Sequence, residues 1–315
     1  MDGCYDNRMN GLIALTSRRF TAGVAPDLGG SLLYFATARE PIVDFVRPTS
    51  ARSLTDGNVR ATAGYPLVPY SNRIGDGRFR FDGREVALER NSDVSSHPIH
   101  GLGWLARWRV EAAAADRVVL VLEHAPSGAQ DAAWPWAFAA TQTFELDDRR
   151  LSWRIDLTNR DPHPMPAGLG MHPFFPKSPR MEVRFEAAQV WRNDERMLPM
   201  SRTDVPDEWN FQRARALDSL AVDNCFAQWT GSAELVWPDR GWSLALAADP
   251  LFGHLVVYTA PAKDSIAIEP VSHANNAVNL ADRYDDTGLR VLQPGETMTG
   301  AMTLTPRPLE NTDAG

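Results

Sequence analysis

Two alternating stretches joined by a charged turn constrain the fold of this chain more than any other feature. Residues 151–158 read Leu-Ser-Trp-Arg-Ile-Asp-Leu-Thr, and residues 138–146 alternate more loosely before them. Successive side chains of a β-strand point to opposite faces, so period two predicts strands with one buried and one exposed face. The intervening Asp-Asp-Arg-Arg predicts a reversal, and the whole stretch therefore predicts an antiparallel hairpin.

The same pattern recurs along the chain. Residues 78–81 and 84–88 flank Asp82-Gly83, a dipeptide suited to a two-residue hairpin turn because both positions take positive φ. A third hairpin is predicted for 233–237 and 242–246. Further strands are expected at 108–113, 117–123, 182–187, 254–260, 265–269 and 299–304, and short helical turns at 203–213 and 216–221.

The order of these elements favours an all-β fold. Strands do not alternate with helices, so a parallel doubly wound sheet is not expected. Many short strands, punctuated by 22 glycines and 23 prolines, are typical of an antiparallel sandwich or barrel. No fixed repeat or low-complexity linker divides the chain, so one domain is expected over residues 1–315, with a frayed polar tail from about residue 306.

Composition argues against several classes of protein. The net charge of −8 and the pI of about 5.4 oppose nucleic-acid binding, which needs a basic face. No apolar run approaches the ~18 residues of a membrane helix, and the first residues do not resemble a signal peptide. Cys4 and Cys225 are too few and too far apart for a disulfide framework. A reducing, cytoplasmic location without membrane partners is therefore expected.

One predicted strand ends in a glutamate, and this is the strongest indication of a catalytic group in the sequence. In residues 265–271, Ser-Ile-Ala-Ile-Glu-Pro-Val, Glu269 follows an apolar run and precedes a proline. This order predicts an acid at the end of a strand, where the chain leaves the sheet. Such a carboxylate acts as a base if it faces a pocket, and it has no chemical role if it faces water.

Two loop segments upstream offer polar groups that could join Glu269. Arg73 follows Asn72 in a loop pinned by prolines, and its guanidinium has five donors, which suit either several ligand oxygens or loop carbonyls. His100 precedes Gly101, which allows a sharp turn that brings an imidazole near a ligand, and Trp104 offers an apolar plate. His97 and His100 are three residues apart, but a metal site is not expected there. Pro98 opposes the helix that would bring the two imidazoles together, and no third ligand is near.

Two further segments add an imidazole and a second acid. His172 stands between glycines and a Pro-Phe-Phe-Pro run that would orient its ring, although a packed structural histidine fits the same pattern. Asp223 is either a ligand-binding acid or a cap, and Cys225 is expected to be a small buried hydrophobe. A carboxylate with one or two imidazoles suits proton transfer on a polar, uncharged substrate. The chain lacks a G-x-S-x-G motif, a P-loop and a G-x-G-x-x-G motif, so acyl transfer and nucleotide chemistry are without support.

These segments, taken in order, resemble the aldose 1-epimerase (mutarotase) family. The matching motifs are Asn72-Arg73-Ile74, His100-Gly101, Gly170-x-His172-Pro173-Phe174, Asp223 and Glu269-Pro270 with Asn276-Ala277, and the order and spacing of the family are kept from about residue 25 to residue 305. No single motif is specific, whereas the five in order are. The resemblance implies a large antiparallel β-sandwich of the galactose-mutarotase type. It also implies a cofactor-free enzyme, without a metal, that interconverts the α and β anomers of a free sugar as a monomer or homodimer.

The resemblance also implies a role for each matched residue. Glu269 resembles the general base that takes the proton of the anomeric hydroxyl, and His172 the general acid that protonates the ring oxygen. His100 resembles the second histidine, near the ring oxygen and itself a possible acid. Arg73 and Asp223 resemble residues that hold sugar hydroxyls, with Asn72 beside them. Trp104 or Phe174 could pack against a face of the sugar.

Three alternatives remain open at the level of sequence. The first is a non-catalytic sugar-binding or sensing protein on the same fold, which would need neither an acid nor a base. The second is a hexose-6-phosphate 1-epimerase, which should have an additional basic cluster for the phosphate, and no such cluster is obvious in the sequence. The third is a glycosidase or lyase with Asp223 and Glu269 as its carboxylate pair.

Overall fold

β-Strands make up about half of the computed structural model, which describes residues 11–127, 132–217 and 220–310. The only α-helix of the described residues, α1 (Ala51–Thr55), is capped by the Ser50 side chain. The strands are β1 (Ile13–Thr16), β2 (Phe20–Ala25), β3 (Ser31–Thr37), β4 (Gly64–Leu67), β5 (Arg78–Phe81), β6 (Arg84–Ala87), β7 (Arg109–Ala113), β8 (Arg117–His124), β9 (Phe138–Leu146), β10 (Leu151–Asn159), β11 (Met165–Ala167), β12 (Gly170–Pro176), β13 (Glu182–Asn193), β14 (Pro199–Asp204), β15 (Arg215–Ala216), β16 (Val222–Trp237), β17 (Trp242–Ala248), β18 (His254–Thr259), β19 (Ser265–Val271), β20 (Arg290–Leu292) and β21 (Thr297–Pro308).

The strands form one large antiparallel sheet with two small satellites. Seventeen strands belong to the large sheet, while β5 pairs with β6 and β11 pairs with β20. Every ladder between these named strands is antiparallel. The predicted all-β antiparallel fold is therefore confirmed. No helix of the described residues has the length and apolar character needed to cross a membrane.

The three predicted hairpins are present. β9 and β10 pair from Phe138 opposite Asn159 to Leu146 opposite Leu151, and alternate residues of both strands are buried. β5–β6 and β16–β17 form the other two, and the first of them turns at Asp82-Gly83, both with positive φ. The single strands predicted between 108 and 304 correspond to β7, β8, β13, β18, β19 and β21.

Two predicted features differ from the structure. Where helical turns were expected at 203–213, β14 ends at Asp204 and only a 3-10 turn, Asp207–Trp209, follows. In 216–221 the described residues form no helix, and residues 218–219 lie outside the described part of the chain. β21 continues to Pro308, which pairs with Trp242, so the strand extends past the predicted start of the tail.

The site is positioned by five adjacent strands of the large sheet. These are β4, β12, β19, β18 and β16, which pair in that order. Side chains two residues apart on a strand share a face, and directly opposed residues on neighbouring strands are close. Residues of these five strands therefore align in rows across one face, and two such rows form the floor of a cavity.

Candidate active site

The first row across the sheet contains both of the predicted proton-transfer residues. His172 is opposite Tyr65 on β4, and Glu269 is opposite Val256 on β18. Between β12 and β19 the register that pairs Phe174 with Ala267 places His172 opposite Glu269. His172 Nε2 lies 3.3 Å from Glu269 Oε1, and the residues are only 8% and 2% exposed.

Both residues lie within strands rather than at the strand end or loop that was expected. β19 continues through Pro270 to Val271, and β12 includes Pro173. The β12–β19 pairing is interrupted between the Gly170–Val271 and Phe174–Ala267 pairs. Since proline has no N–H to donate to a ladder, this gap accommodates both prolines without ending either strand. The proton-transfer pair lies at the gap.

Burial shifts the pKa values of this pair toward their neutral forms. The pKa of Glu269 is raised well above its usual value, first by burial and then by the nearby charge of Asp223, and Arg73 opposes this rise. Burial and the cation of Arg47 lower the pKa of His172 to about 3. Burial therefore disfavours the ion pair of carboxylate and imidazolium and favours the form in which both groups are uncharged. Glu269 Oε2 and His172 Nδ1 have no hydrogen-bond partner among the described residues.

The second row lies one step along the same face and includes Asp223. The row reads Phe174, Ala267, Tyr258 and Asp223, each opposite the next on the neighbouring strand. Burial raises the pKa of Asp223, and the charge of Arg73 opposes that rise. Phe174, Tyr258 and Asp223 of this row line the cavity, whereas Ala267 between them is fully buried.

Two loops bring His100, Asn72 and Arg73 over this floor. The Asn72 N–H donates to His100 Nδ1 at 3.1 Å, and the His100 N–H donates to the Asn72 carbonyl oxygen at 3.0 Å. A ring that accepts at Nδ1 carries its proton on Nε2, so neutral His100 is a donor there. Burial, His172 and Arg73 lower its pKa well below the usual value, in that order of effect. The Arg73 N–H and Nη1 both donate to Asn72 Oδ1, at 2.9 and 3.2 Å.

Trp104 and Cys225 lie beneath the site. Trp104 is 3% exposed, donates from Nε1 to the Gly101 carbonyl oxygen and meets the His100 ring edge-on at 6.0 Å between centroids. It does not line the described cavity, so it supports His100 from behind. Cys225 is buried as expected, and burial raises the pKa of its thiol to about 12, so it is not an activated nucleophile.

A cavity of about 520 Å³ lies over the two rows and brings the predicted residues together. Its lining includes Glu269, His172, His100, Arg73, Asp223 and Asn72. It also includes residues that sequence reasoning did not select, namely Arg47, Arg60, Tyr65, Tyr258 and Lys263. No local motif marks these five, because they meet the site only through strand pairing and loop packing. The described residues contain no group of three or more His, Cys, Asp or Glu side chains able to hold a metal ion.

Comparison with known proteins identifies the family. The family model described as Aldose 1-epimerase matches residues 11–305. The Escherichia coli (strain K12) protein YphB, itself described as uncharacterized, is 31% identical over 248 residues, which cover 76% of this chain and 82% of that protein. A crystal structure from Escherichia coli K12, whose description assigns it provisionally to the aldose 1-epimerases, is 27% identical and has a TM-score of 0.84 over 95% of this chain and 99% of that one.

A galactose mutarotase-like protein from Clostridium acetobutylicum has a TM-score of 0.84 over 94% of this chain and 95% of its own, at 18% identity. At that identity the likeness shows the fold alone. It confirms the large antiparallel β-sandwich of the galactose-mutarotase type that the sequence predicted. The match of the family model over residues 11–305 places the chain in the aldose 1-epimerase family.

Proposed function

We propose that this protein is an aldose 1-epimerase that interconverts the α and β anomers of a free aldose by opening and closing the sugar ring. One observation supports this more than any other, namely the 3.3 Å separation of His172 Nε2 and Glu269 Oε1 on the floor of a sugar-sized cavity. A buried base beside a buried acid can remove one proton and donate another at the same centre. Strongly shifted pKa values in a cleft are typical of functional groups.

In this mechanism Glu269 takes the proton of the anomeric hydroxyl while His172 protonates the ring oxygen. The bond between C1 and the ring oxygen breaks, and an open-chain aldehyde forms. Rotation about C1–C2 presents the other face, and the reverse proton transfers close the ring. Ring opening moves one proton onto Glu269 and one off His172, so the pair keeps a single proton throughout. The form that reacts is the charged pair, His172 imidazolium with Glu269 carboxylate, which burial disfavours, and ring opening converts it into the neutral pair.

The surrounding residues hold the sugar during this step. His100 donates from Nε2 near the ring oxygen, while Arg73, Asp223 and Asn72 bind hydroxyl groups. Fixed orientation matters here, because the open chain has to close before it drifts. We further propose that the protein works in the cytoplasm as one domain, without a cofactor, and as a monomer or homodimer.

Two alternative functions, a non-catalytic sugar-binding protein and a glycosidase, fit the site less well. A protein that only binds sugar gains nothing from burying a carboxyl and an imidazole against each other, since desolvation of both destabilises the fold. A glycosidase would use Asp223 and Glu269 as an acid and a base or nucleophile. Here Glu269 is paired with His172 instead, and Asp223 belongs to the other row of the floor.

A second candidate, a hexose-6-phosphate 1-epimerase, gains support from the cavity wall. Arg47, Arg60 and Lys263 line the cavity, although they are distant in sequence, so the basic cluster not obvious in the sequence does exist. Two carboxylates weaken this cluster, because Asp93 pairs with Arg60 at 3.0 Å and Asp264 lines the same wall. The free aldose therefore remains the first proposal.

Polarimetry of freshly dissolved α-D-galactose, α-D-glucose and an α-pentose tests the activity. The wild type should accelerate the approach to anomeric equilibrium. Glu269→Gln should lower kcat by about 10²–10⁴-fold and still bind sugar in a calorimetric titration. Glu85→Gln, on the exposed hairpin strand β6, is the matched control and should retain full activity. A wild-type rate in Glu269→Gln would refute the mechanism.

A parallel comparison of each aldose with its 6-phosphate separates the two candidates. If the phosphorylated sugar is the substrate, Arg60→Gln and Lys263→Gln should each raise its KM and leave the KM of the free sugar unchanged. The hexose-6-phosphate 1-epimerase is excluded if kcat/KM is higher for the free sugar and if Arg60→Gln and Lys263→Gln leave the KM for the 6-phosphate unchanged.

A further inference from the structure

Three side chains, Arg47, Phe174 and His172, form a stack that ends on the catalytic imidazole. The guanidinium carbon of Arg47 lies 3.8 Å from the centre of the Phe174 ring. Phe174 stacks on His172 at 4.5 Å with an interplanar angle of 28°. The Tyr65 ring lies 4.6 Å from His172 and 6.1 Å from Phe174, so it contacts the imidazole from a different direction. His172 is therefore held by contacts with two aromatic rings, with a cation behind one of them.

The Arg47 guanidinium is itself firmly anchored. Its Nη2 donates to the carbonyl oxygens of Arg60 and Thr62 at 2.8 and 2.5 Å, and its Nη1 donates to Ser265 Oγ at 3.3 Å. The Arg47 N–H also donates to the Phe174 carbonyl oxygen at 2.8 Å. No carboxylate of the described residues forms an ion pair with Arg47, so its charge is not neutralised by contact. Arginine stays protonated in proteins, and the charge is therefore permanent.

We propose that Arg47 is a positioning residue of the reaction, which acts through Phe174 to fix the plane of the His172 ring and places a permanent positive charge behind it. This inference builds on the proposed function. The fixed plane keeps Nε2 aimed at the reacting oxygen and at Glu269. The charge weakens the hold of the imidazole on its proton, so His172 becomes a stronger acid.

Three other titratable groups face His172 from the elements around it. Glu269 on β19 is the partner in proton transfer, and its carboxylate form opposes the effect of Arg47. Tyr65 on β4 is buried, and burial raises its pKa, so it stays neutral. His100, at 5.3 Å between ring centroids, is kept neutral by its own lowered pKa. Arg47 thus differs from these three groups in carrying a permanent charge.

Three variants separate the charge from the stack. Arg47→Met removes the charge and keeps the length of the side chain. Arg47→Lys keeps the charge and loses the planar fork, and Phe174→Leu keeps Arg47 while removing the ring between the two groups. Circular dichroism and thermal unfolding establish that each variant is folded. Since one variant could fail to fold, the other two keep the proposal testable.

The first readout does not depend on catalysis. In protein labelled with ¹³C-histidine, with the His172 resonance assigned from His172→Asn, the titration of His172 should move up by roughly one pH unit in Arg47→Met. Arg47→Lys should titrate close to the wild type. An unchanged titration in Arg47→Met would overturn the electrostatic part of the proposal whether or not the protein is an epimerase.

The second readout is mutarotation. The pH profile of kcat should shift upward in Arg47→Met by the same unit, because the proton of the pair becomes harder to remove. Phe174→Leu should lower kcat roughly tenfold without a shift in pH, since misorientation alone has costs of this order. KM should stay within twofold of the wild type in both. A change in KM alone would overturn the positioning role and make Arg47 a substrate contact.

Discussion

At the scale of single residues, the two histidines of the site differ in what their second nitrogen does. His100 Nδ1 is committed to the N–H of Asn72, so a second proton on that ring would break a buried hydrogen bond. His172 Nδ1 has no hydrogen-bond partner among the described residues, and its Nε2 faces Glu269. His172 is thus suited to gain and lose a proton, whereas His100 is suited to donate a fixed hydrogen bond.

This difference leads to opposite kinetic outcomes for the same substitution. We expect His172→Asn to lower kcat by about 10²–10⁴-fold with little change in KM, as for loss of a proton-transfer group. We expect His100→Asn to raise KM roughly tenfold with little change in kcat, because one hydrogen bond to the sugar is lost. Initial rates by polarimetry over a range of sugar concentrations measure both, and the reverse assignment of effects would make His100 the acid.

At the scale of elements, alternation made β9 and β10 predictable from the sequence, whereas the fully buried β19 was predicted from its apolar run. β9 and β10 alternate because only one face of each is buried. By contrast, every residue of β3 and β12 is buried, so neither strand has an alternating pattern to detect. The motif around His172 was recognisable, yet the strand that bears it was not. Arg47 lies in a loop without any signature, and only the packed structure places it beside Phe174.

The loop that presents His100 depends on one glycine. Gly101 has φ +66°, and an added Cβ would lie 2.1 Å from the Val68 carbonyl oxygen. We expect Gly101→Ala to cost more than about 2 kcal/mol in unfolding free energy and to reduce activity, because the turn would have to shift under His100. Gly83→Ala is the matched control, since Gly83 has φ +75° and open space around it. Denaturant unfolding of the two variants gives the comparison, and equal losses would mean that backbone strain alone decides the effect.

At the scale of the whole molecule, the active site opposes folding. A carboxyl buried with an unpartnered oxygen and an imidazole with an unpartnered nitrogen both lose hydration. The proposed function of this pair therefore reduces the stability that the apolar core and the sheet supply. Natural active sites often show this conflict between stability and activity.

The pH dependence of stability tests this conflict. The folded state raises the pKa of Glu269 above its ordinary 4.5, so above that pH the native state binds more protons than the unfolded state. The contribution of Glu269 to stability therefore falls as pH rises. We expect Glu269→Gln to raise Tm by a few degrees at pH 8 and by less at pH 5. His172 contributes the opposite slope between its folded pKa of about 3 and 6.5, so the comparison is repeated in a His172→Asn background to isolate the carboxyl. A gain that is larger at pH 5 would contradict the raised pKa.

The proposed acid and base, His172 and Glu269, lie on neighbouring strands, whereas Arg73 and His100 lie on loops. The register of the sheet consequently sets the distance between His172 and Glu269. The side chains proposed to bind the sugar hydroxyl groups are positioned by loops, which can change in length and sequence without altering the sheet. A designer could exchange the loops to select another sugar and leave the proton relay in place. The same division would let natural variation alter preference among sugars without rebuilding the catalyst.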